Sequence, residues 1–217
     1  MPRIATIDPR ETEDPMEKFR AYRGDPWFGW RDLTWTKDQV DIIHPVKRAP
    51  QLPYLHTLMQ IWMTQRLLAV YKSRRMLMTW FFVYLHLHMA MFRKDRLIFF
   101  QSKKEEDSDD LVKRAEHIYD EIQRRHPEFP LPAKRSKYCK LTFPEIGSEI
   151  RGIPEGADHL RQYTSSAILM DEVAFWNKLR EAIEGSKPTI EGGGRVAMIS
   201  TCNPGYFQKI CQDTIEA

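Results

Sequence analysis

From residue 54 onward, short runs of apolar residues alternate with stretches in which apolar residues recur at helical spacing. Continuous apolar runs predict buried strands, and longer periodic stretches predict helices. Strands that alternate with helices indicate an α/β fold with a mostly parallel central sheet sandwiched by helices. The predicted strands cover 67–71, 96–101, 138–143, 148–153, 166–171 and 195–200. The predicted helices begin near 54, cover 77–92, 105–125 and 178–184, and begin again near 206.

The apolar stretch 77–92 is too short to cross a bilayer of about 30 Å and contains His86 and His88. We therefore expect a buried core helix and no membrane contact. Two positions apart on a helix, the histidines do not share a face. That spacing favours hydrogen-bonded core histidines over metal ligands.

The first 52 residues differ from the rest of the chain, because they are rich in prolines and aromatic residues and show no regular spacing of apolar residues. This composition predicts loops and short helices pinned by aromatic side chains. We expect an N-terminal leader over 1–52 and one globular domain over 53–217. The prolines and aromatic residues of the leader include Pro2, Pro9, Pro15, Pro26, Pro45, Pro50, Trp27, Phe28, Trp30 and Trp35.

Composition fits a globular chain: of 217 residues, 42% are hydrophobic and 29% charged, enough for one substantial core. The formal net charge of +3 permits contact with nucleic acid but is small for a dedicated DNA-binding module. Cys139, Cys202 and Cys211 form no CxxC pair. Free thiols in a reducing compartment are therefore expected, and not a disulfide framework or a zinc site.

Two acids, Asp171 and Glu172, directly follow a buried strand in the run AILMDEVAFW. In an NTPase, the first such carboxylate holds Mg²⁺ and the second polarises the attacking water. The same pattern also occurs where a core strand simply surfaces into a loop. The pair therefore indicates ATP hydrolysis only in combination with other motifs.

The loop between the strand 67–71 and the helix 77–92 stands where a phosphate-binding loop belongs. Cations near a helix N-terminus suit a phosphate chain, and a hydroxyl in its first turn suits the accompanying Mg²⁺. The candidate residues are Lys72, Ser73, Arg74, Arg75 and Thr79. Solvated cations at a strand end are the alternative.

The loop departs from the template GxxxxGK[ST], because Leu77 and Met78 stand where the second Gly and the Lys belong. A third motif, ISTCNPG, ends a strand in Ser200, Thr201 and Asn203. Hydroxyl and amide groups beside the strand of Asp171 can sense a γ-phosphate and pass its loss to a moving part. A plain strand-to-turn signal is the alternative.

These motifs follow one another in order: KSRRMLMTW, DRLIFFQSKKEEDSDDLVKRAEHIYDEI, SEIRGIPEGADHLRQYTSSAILMDEVAFW and STCNPG. In this order they resemble the ATPase half of the large terminase subunit of tailed double-stranded DNA bacteriophages. The similarity covers roughly residues 50–210, and DEVAF is its most specific element. The resemblance implies a P-loop NTPase fold of the ASCE, terminase type, with ATP and Mg²⁺ as cofactors and an ATPase domain over 53–217.

The resemblance also assigns roles to single residues. Terminases often carry a deviant Walker A motif with the basic residue at the front of the loop, and KSRR matches that variant. Arg161, upstream in HLRQYTSSAILMDE, matches the arginine finger that the family offers to a neighbouring subunit; a surface arginine is the alternative. The implied roles are phosphate contact by Lys72, Ser73, Arg74 and Arg75, Mg²⁺ ligation by Asp171 and Thr79, catalysis by Glu172, and coupling by Ser200, Thr201 and Asn203.

By the same resemblance, the chain is the motor domain of a viral packaging terminase that moves double-stranded DNA into procapsids. The implied partners are double-stranded DNA, other large subunits in a ring, the portal protein and the small terminase subunit. The implied location is the cytoplasm of the infected bacterial host, transiently on the procapsid. We expect no nuclease activity, because no second acidic constellation follows the coupling motif.

Two other functions stay open at this point: a helicase-like translocase, which shares the acidic pair, and a scaffold whose nucleotide site has decayed. Base recognition also stays open, since Gln51 and Gln60 are both candidates for an adenine contact. For DNA contact, the candidate cluster is Lys134, Arg135 and Lys137, although such a run is also typical of an exposed loop.

Overall fold

The computed structural model describes residues 7–38 and 40–213. Residues 1–6, 39 and 214–217, which belong to the predicted leader and to the end of the predicted ATPase domain, lie outside the described residues. The described part is an α/β fold, as predicted. Its strands are β1 (Trp35–Lys37), β2 (Val46–Arg48), β3 (Leu67–Lys72), β4 (Leu97–Ser102), β5 (Arg135–Lys137), β6 (Lys140–Phe143), β7 (Ser148–Pro154), β8 (Ala167–Asp171) and β9 (Arg195–Thr201). Its α-helices are α1 (Pro15–Gly24), α2 (Pro26–Leu33), α3 (Pro53–Thr64), α4 (Met78–Phe92), α5 (Glu105–Arg125), α6 (Asp158–Gln162), α7 (Leu179–Glu191) and α8 (Tyr206–Asp213).

Seven strands of the described chain form the central sheet, in the order β3-β9-β8-β4-β7-β6-β5. The first five run parallel, while β6 and β5 are antiparallel additions at one edge. β1 and β2 form a separate antiparallel pair. The strands β3, β9 and β8 are neighbours, so the three motifs that end them meet at one edge of the sheet.

Helices cover both faces of the parallel strands, and alternation within each strand separates two hydrophobic clusters. In β8, Ala167 and Leu169 face the cluster that contains α4 and α5, whereas Ile168 and Met170 face the cluster that contains α7. A strand that buries both of its faces reads as one continuous apolar run. This explains why AILM marked a central strand correctly.

The leader packs onto the same core as α4. Trp30 of α2 meets Phe81 edge-to-face at 5.0 Å, and the Tyr84 hydroxyl donates to the carbonyl of Pro26. A Cβ on Gly29 would lie 2.1 Å from the Tyr84 hydroxyl oxygen, so glycine is needed at this close approach. The described leader therefore consists of short helices and a hairpin docked by aromatic side chains.

Local signals explain where the leader helices begin. Pro15 and Pro26 occupy the first helical positions, where their missing N–H is not needed. Asp14 and Asp25 precede them and accept the backbone N–H groups of the following turn. Each helix start is therefore fixed by an Asp-Pro pair.

The two core histidines lie buried in α4. His86 Nδ1 is 2.7 Å from the carbonyl oxygen of Phe82, and His88 Nε2 is 2.8 Å from that of Tyr22. Burial lowers the pKa of each histidine to about 4, so both imidazoles are neutral at pH 7. No helix within 7–38 or 40–213 has the length and apolar character to span a membrane.

The structure corrects two predicted elements. The predicted strand 138–143 is a hairpin, in which Tyr138 and Cys139 form the turn between β5 and β6, with Cys139 at a φ of 53°. The predicted helix 178–184 extends to Glu191 and includes Pro188. Gly185 allows this helix to approach α6, since a Cβ there would lie 2.9 Å from the Cβ of Ala157. The glycine therefore permits close packing and does not end the helix.

Candidate functional site

The candidate site lies at the carboxyl edge of β3, β9 and β8. Lys72 ends β3 and stands opposite Thr201, which ends β9, while Asp171 ends β8 opposite Ile199. Crevices outside the carboxyl ends of parallel strands are the usual ligand sites of α/β sheets. The sheet thus brings together residues that are about a hundred positions apart in the sequence.

Lys72 joins the two acids of the site. Its Nζ donates to Glu172 Oε1 at 2.5 Å and lies 4.0 Å from Asp171 Oδ1. Only 9% of the Lys72 side chain is exposed. A lysine at the end of β3 therefore binds one of the two acids and lies close to the other.

Asp171 is buried and pairs with the first turn of α4. The Thr79 hydroxyl lies 3.2 Å from Asp171 Oδ1 and 3.4 Å from Oδ2. Burial raises the pKa of Asp171 to about 6, against the opposing charge of Lys72. A hydroxyl and a carboxylate at this distance are the oxygen donors that Mg²⁺ prefers, so the pair fits a magnesium site.

Glu172 adopts a left-handed backbone conformation, with φ at 54°. Its Oε2 accepts from the Thr201 N–H at 3.1 Å, the Thr201 hydroxyl at 3.1 Å and the Ser200 hydroxyl at 3.3 Å. Burial raises the pKa of Glu172, but the hydrogen bonds from Lys72 and Thr201 outweigh it, so the pKa lies below its ordinary value. Glu172 is therefore held as a carboxylate. A strained backbone at this position is typical of functional sites.

The loop after Glu172 is fixed to the end of β9 and to Asp171. The Ala174 N–H donates to Ser200 Oγ, and Asn203 Nδ2 donates to the Ala174 carbonyl, both at 3.1 Å. Trp176 Nε1 donates to the Asp171 carbonyl at 3.1 Å. A shift of the acidic loop would therefore move the end of β9 with it.

An open pocket of ≈ 330 Å³ lies over these groups. The exposed side chains of Arg74 and Arg75 line it, and that of Ser73 is exposed beside them. Cations around an open pocket at a helix N-terminus fit a phosphate chain. The residues that line the pocket are Lys72, Arg74, Arg75, Glu172, Phe175 and Thr201.

The phosphate-binding candidate loop contains two left-handed residues, Arg75 at a φ of 63° and Leu77 at 56°. Leu77 occupies the N-cap position of α4, the position that glycine takes in the standard template. The φ value gives the physical reason for that glycine, because only glycine adopts this conformation without strain. The departure noted in the sequence thus places a leucine in a strained backbone conformation.

Because of this strain, the free energy of unfolding of Leu77→Gly is expected to be about 1 kcal/mol larger than that of Leu77→Ala, so the glycine variant is the more stable of the two. The alanine variant removes the same side-chain contacts but keeps the Cβ, so it is the matched control. Urea denaturation of both variants measures the difference. At an ordinary position the glycine variant is less stable than the alanine variant. The same order of stability at position 77 would contradict backbone strain at Leu77.

Arg161 is not brought into the pocket. It lies exposed on α6, and its side chain makes no hydrogen bond or ion pair with another residue of the described ranges. Its own subunit's site therefore does not use it in this structure. A finger that serves a neighbouring subunit has this placement, and the role stays a prediction.

Two polar side chains set the position of α6. Gln101, buried at the carboxyl end of β4, donates to the carbonyls of Pro154 and Gly156 at 2.9 and 2.7 Å. Glu155 accepts the backbone N–H groups at 177 and 178 through Oε2, at 2.7 and 3.1 Å. The segment that leads into α6 is thus tied to the loop that follows Asp171 and Glu172.

Sequence reasoning missed two residues near the site. Phe175 lines the pocket, and its place three residues after Glu172 was the available signal. Arg114 of α5 lies with its guanidinium carbon 5.8 Å from the ring centroid of Trp80, and its charge lowers the pKa of Asp171. Nothing in the helical pattern of α5 distinguishes Arg114 from its solvated neighbours.

The candidates for other contacts lie outside the pocket. Gln51 precedes α3 and Gln60 is exposed on it, so neither lines the pocket. Lys134 is bound by Glu116 and Asp120, at 2.6 and 2.9 Å. Its charge is therefore neutralised within the fold.

Comparison with known proteins finds no matching family model and no matching curated sequence. Solved structures do match. The large terminase of bacteriophage HK97 superimposes with a TM-score of 0.64 and 12% identity, over 86% of this chain and 40% of that one. The ATPase domain of the Thermus phage P74-26 large terminase gives 0.52 and 17%, over 66% of this chain and 62% of that one. The chain has the fold of a phage large-terminase ATPase domain.

A third match with the terminase ATPase fold is the large terminase of a thermophilic bacteriophage, solved in complex with ADP. It has a TM-score of 0.51 and 14% identity, over 75% of this chain and 43% of that one. The match thus spans less than two thirds of each of these terminases. At these identities the likeness establishes the terminase ATPase fold, which confirms the fold predicted from the sequence.

Proposed function

We propose that this chain is the ATP-hydrolysing motor domain of a viral genome-packaging terminase, which translocates double-stranded DNA into procapsids. One observation carries the proposal. Lys72, Thr79, Asp171, Glu172 and Thr201 converge at the carboxyl edge of three neighbouring strands, linked by hydrogen bonds. The fold shared with terminase ATPase domains, and the ADP bound to one of those proteins, support the choice of nucleotide.

In this proposal the site's own residues bind, orient and move one proton. Arg74 and Arg75 hold phosphate oxygens at the mouth of the pocket, and the oxygens of Thr79 and Asp171 hold Mg²⁺. When bound, ATP with Mg²⁺ supplies a γ-phosphoryl group that is open to in-line attack by water. Glu172 orients that water and accepts its proton.

Lys72 is paired with Glu172 in the structure. A phosphate oxygen offers Lys72 a second anionic partner of higher charge. When Lys72 exchanges Glu172 for a phosphate oxygen as its partner, the Glu172 carboxylate is free to contact water. Lys72 thereby keeps Glu172 from acting until nucleotide is present.

Ser200, Thr201 and Asn203 couple the site to movement. Glu172 and the loop after it are bound to these residues through both backbone and side chains. A change in the contacts of Glu172 during hydrolysis therefore displaces the end of β9 and the segment that follows it. This is a two-state element of the kind that converts loss of a phosphate into motion.

The remaining parts of the proposal concern the assembly. The chain acts in a ring of large subunits, where Arg161 completes a neighbour's site, and it works with the portal protein and the small terminase subunit. It does so in the host cytoplasm, transiently on the procapsid. The strained Leu77 and the Met78 at the template lysine position favour one competing function, a scaffold that does not hydrolyse nucleotide.

ATP turnover by the wild-type chain tests the proposal. We expect Mg²⁺-dependent hydrolysis that rises more than linearly with protein concentration and increases further with linear duplex DNA. Chelation by EDTA is expected to abolish turnover, and excess Mg²⁺ to restore it, because without the cation the Asp171 carboxylate repels the phosphate chain and nothing neutralises the charge of the transferring phosphoryl group. A chain that neither binds nor hydrolyses ATP at any concentration supports the scaffold instead.

A further inference from the structure

The antiparallel edge of the sheet carries a basic face that the ATPase site does not use. In register, Lys137 stands opposite Lys140, and Lys140 stands opposite Arg151. In the next row, Arg135 stands opposite Thr142, and Thr142 stands opposite Glu149. Residues opposite each other, and residues two apart along a strand, share one face of a sheet. The basic face is therefore defined by Arg135, Lys137, Lys140, Thr142, Glu149 and Arg151.

The other face of the same strands is covered by α5. Leu141 and Ile150 are fully buried there, and Ser136 donates to Glu116 of α5 at 2.5 Å. All residues of the basic face except Arg151 instead line an open pocket of ≈ 410 Å³. It is thus a sheet surface that α5 leaves uncovered.

Charge on the basic face is strongly one-sided. Glu149 is its single carboxylate, and it binds Arg151 at 2.5 Å and Lys140 at 2.6 Å. The side chains of Arg135 and Lys137 are exposed and make no hydrogen bond or ion pair within the described ranges. Two cations therefore stand free, and two more share one counter-charge.

We propose that the basic face docks the phosphate backbone of duplex DNA. This inference rests on the proposed function, which supplies a polyanionic partner. Duplex DNA carries one negative charge per about 1.7 Å of helix axis, and cations on a protein bind it by releasing its counterions. An open surface with one row of three cations, and a fourth cation in the next row, fits such an extended anion better than a single small one.

The basic face also lies near α6. The Arg151 guanidinium carbon is 4.9 Å from the ring centroid of Tyr163, which directly follows α6 and its Arg161. DNA on the basic face would therefore lie close to Tyr163, next to the helix that carries the proposed finger. Docking of DNA beside that helix gives a physical route for stimulation of hydrolysis by DNA.

The test is the affinity for a short linear duplex of random sequence, measured by fluorescence anisotropy over a salt series without nucleotide. The double variant Arg135→Ala, Lys137→Ala is expected to bind at least tenfold more weakly, with the slope of log affinity against log salt reduced by about 2. The double variant Arg20→Ala, Arg23→Ala removes the same charge from exposed positions of α1 and is expected to bind like the wild type.

A second variant is expected to change the affinity for DNA in the opposite direction. Glu149→Gln removes the single carboxylate of the basic face and frees Lys140 and Arg151, so it is expected to bind duplex DNA several-fold more tightly. A general loss of folding cannot produce tighter binding. Turnover of ATP without DNA is measured on each variant and is expected to match the wild type.

These readouts separate the two claims. If the wild type hydrolyses ATP and the Arg135, Lys137 variant binds DNA with unchanged affinity, docking of DNA on the basic face is overturned and the proposed function stays intact. If the wild type does not hydrolyse ATP, but the Arg135, Lys137 variant binds DNA more weakly than the wild type, the proposed function is overturned and docking of DNA on the basic face is supported. Tight DNA binding that falls equally in the Arg20, Arg23 control also overturns the basic face.

Discussion

Replacement of Glu172 by Gln is expected to reduce ATP turnover at least a hundredfold while nucleotide binding persists. General base catalysis typically contributes a factor of about 10² to 10⁴, and glutamine cannot accept the proton of the attacking water. Glutamine keeps the shape of the side chain and can still accept from the N–H and hydroxyl of Thr201. Steady-state turnover and binding of a fluorescent ATP analogue measure the two effects separately.

The matched control for this variant is Glu181→Gln, which makes the same chemical change at an exposed position of α7. It is expected to turn over ATP like the wild type. Turnover in Glu172→Gln within a factor of a few of the wild type would show that another group activates water. Loss of nucleotide binding in Glu172→Gln would instead indicate a structural role for the carboxylate.

Replacement of Arg161 by Ala is expected to lower turnover by about 10³-fold or more in the assembled state, since an arginine finger contributes 10³ to 10⁵. Arg161 is exposed, and its side chain makes no hydrogen bond or ion pair within the described ranges, so folding and nucleotide binding are expected to be unchanged. Thermal unfolding checks the first expectation, and binding of the ATP analogue checks the second.

Lys187→Ala is the control for Arg161→Ala, because it removes one exposed cation from the same side of the sheet. It is expected to leave turnover unchanged. If Arg161→Ala also turns over ATP normally at every protein concentration, Arg161 is an ordinary surface arginine.

Long apolar or periodic elements were predictable from the sequence, and α5 was predicted with its observed bounds at Glu105 and Arg125. The strands β8 and β9 were also predictable, because burial of both faces makes their central residues apolar. Short elements were not predictable. α6 and β5 contain too few residues to show a period, and β5 is exposed at every position.

The candidate site was predictable as a set of residues but not as a set of contacts. Strand order puts Lys72 beside Thr201, and nothing in the local sequence specifies that order. The ion pair between Lys72 and Glu172 and the left-handed backbone of Leu77 depend on tertiary packing. Lys134 shows the same limit, because its partners on α5 are far from it in the sequence.

In the proposed function, Lys72 replaces the lysine that the standard phosphate-loop template would supply. Lys72 reaches the acidic pair from the end of β3, and Met78, at the template lysine position, is buried at the start of α4. A buried methionine cannot replace a phosphate-binding cation. In the proposed function, the phosphate-binding cation therefore stands at the front of the loop.

The most direct test of the account is ATP turnover in an equimolar mixture of the Glu172→Gln and Arg161→Ala variants. Each variant alone is expected to be nearly inactive. In a mixed ring, an Arg161→Ala subunit keeps an intact site and receives Arg161 from a Glu172→Gln neighbour. Random assembly would then restore about a quarter of the wild-type rate. Turnover no greater than the average of the two variants alone would contradict a shared site built from Glu172 of one subunit and Arg161 of the next.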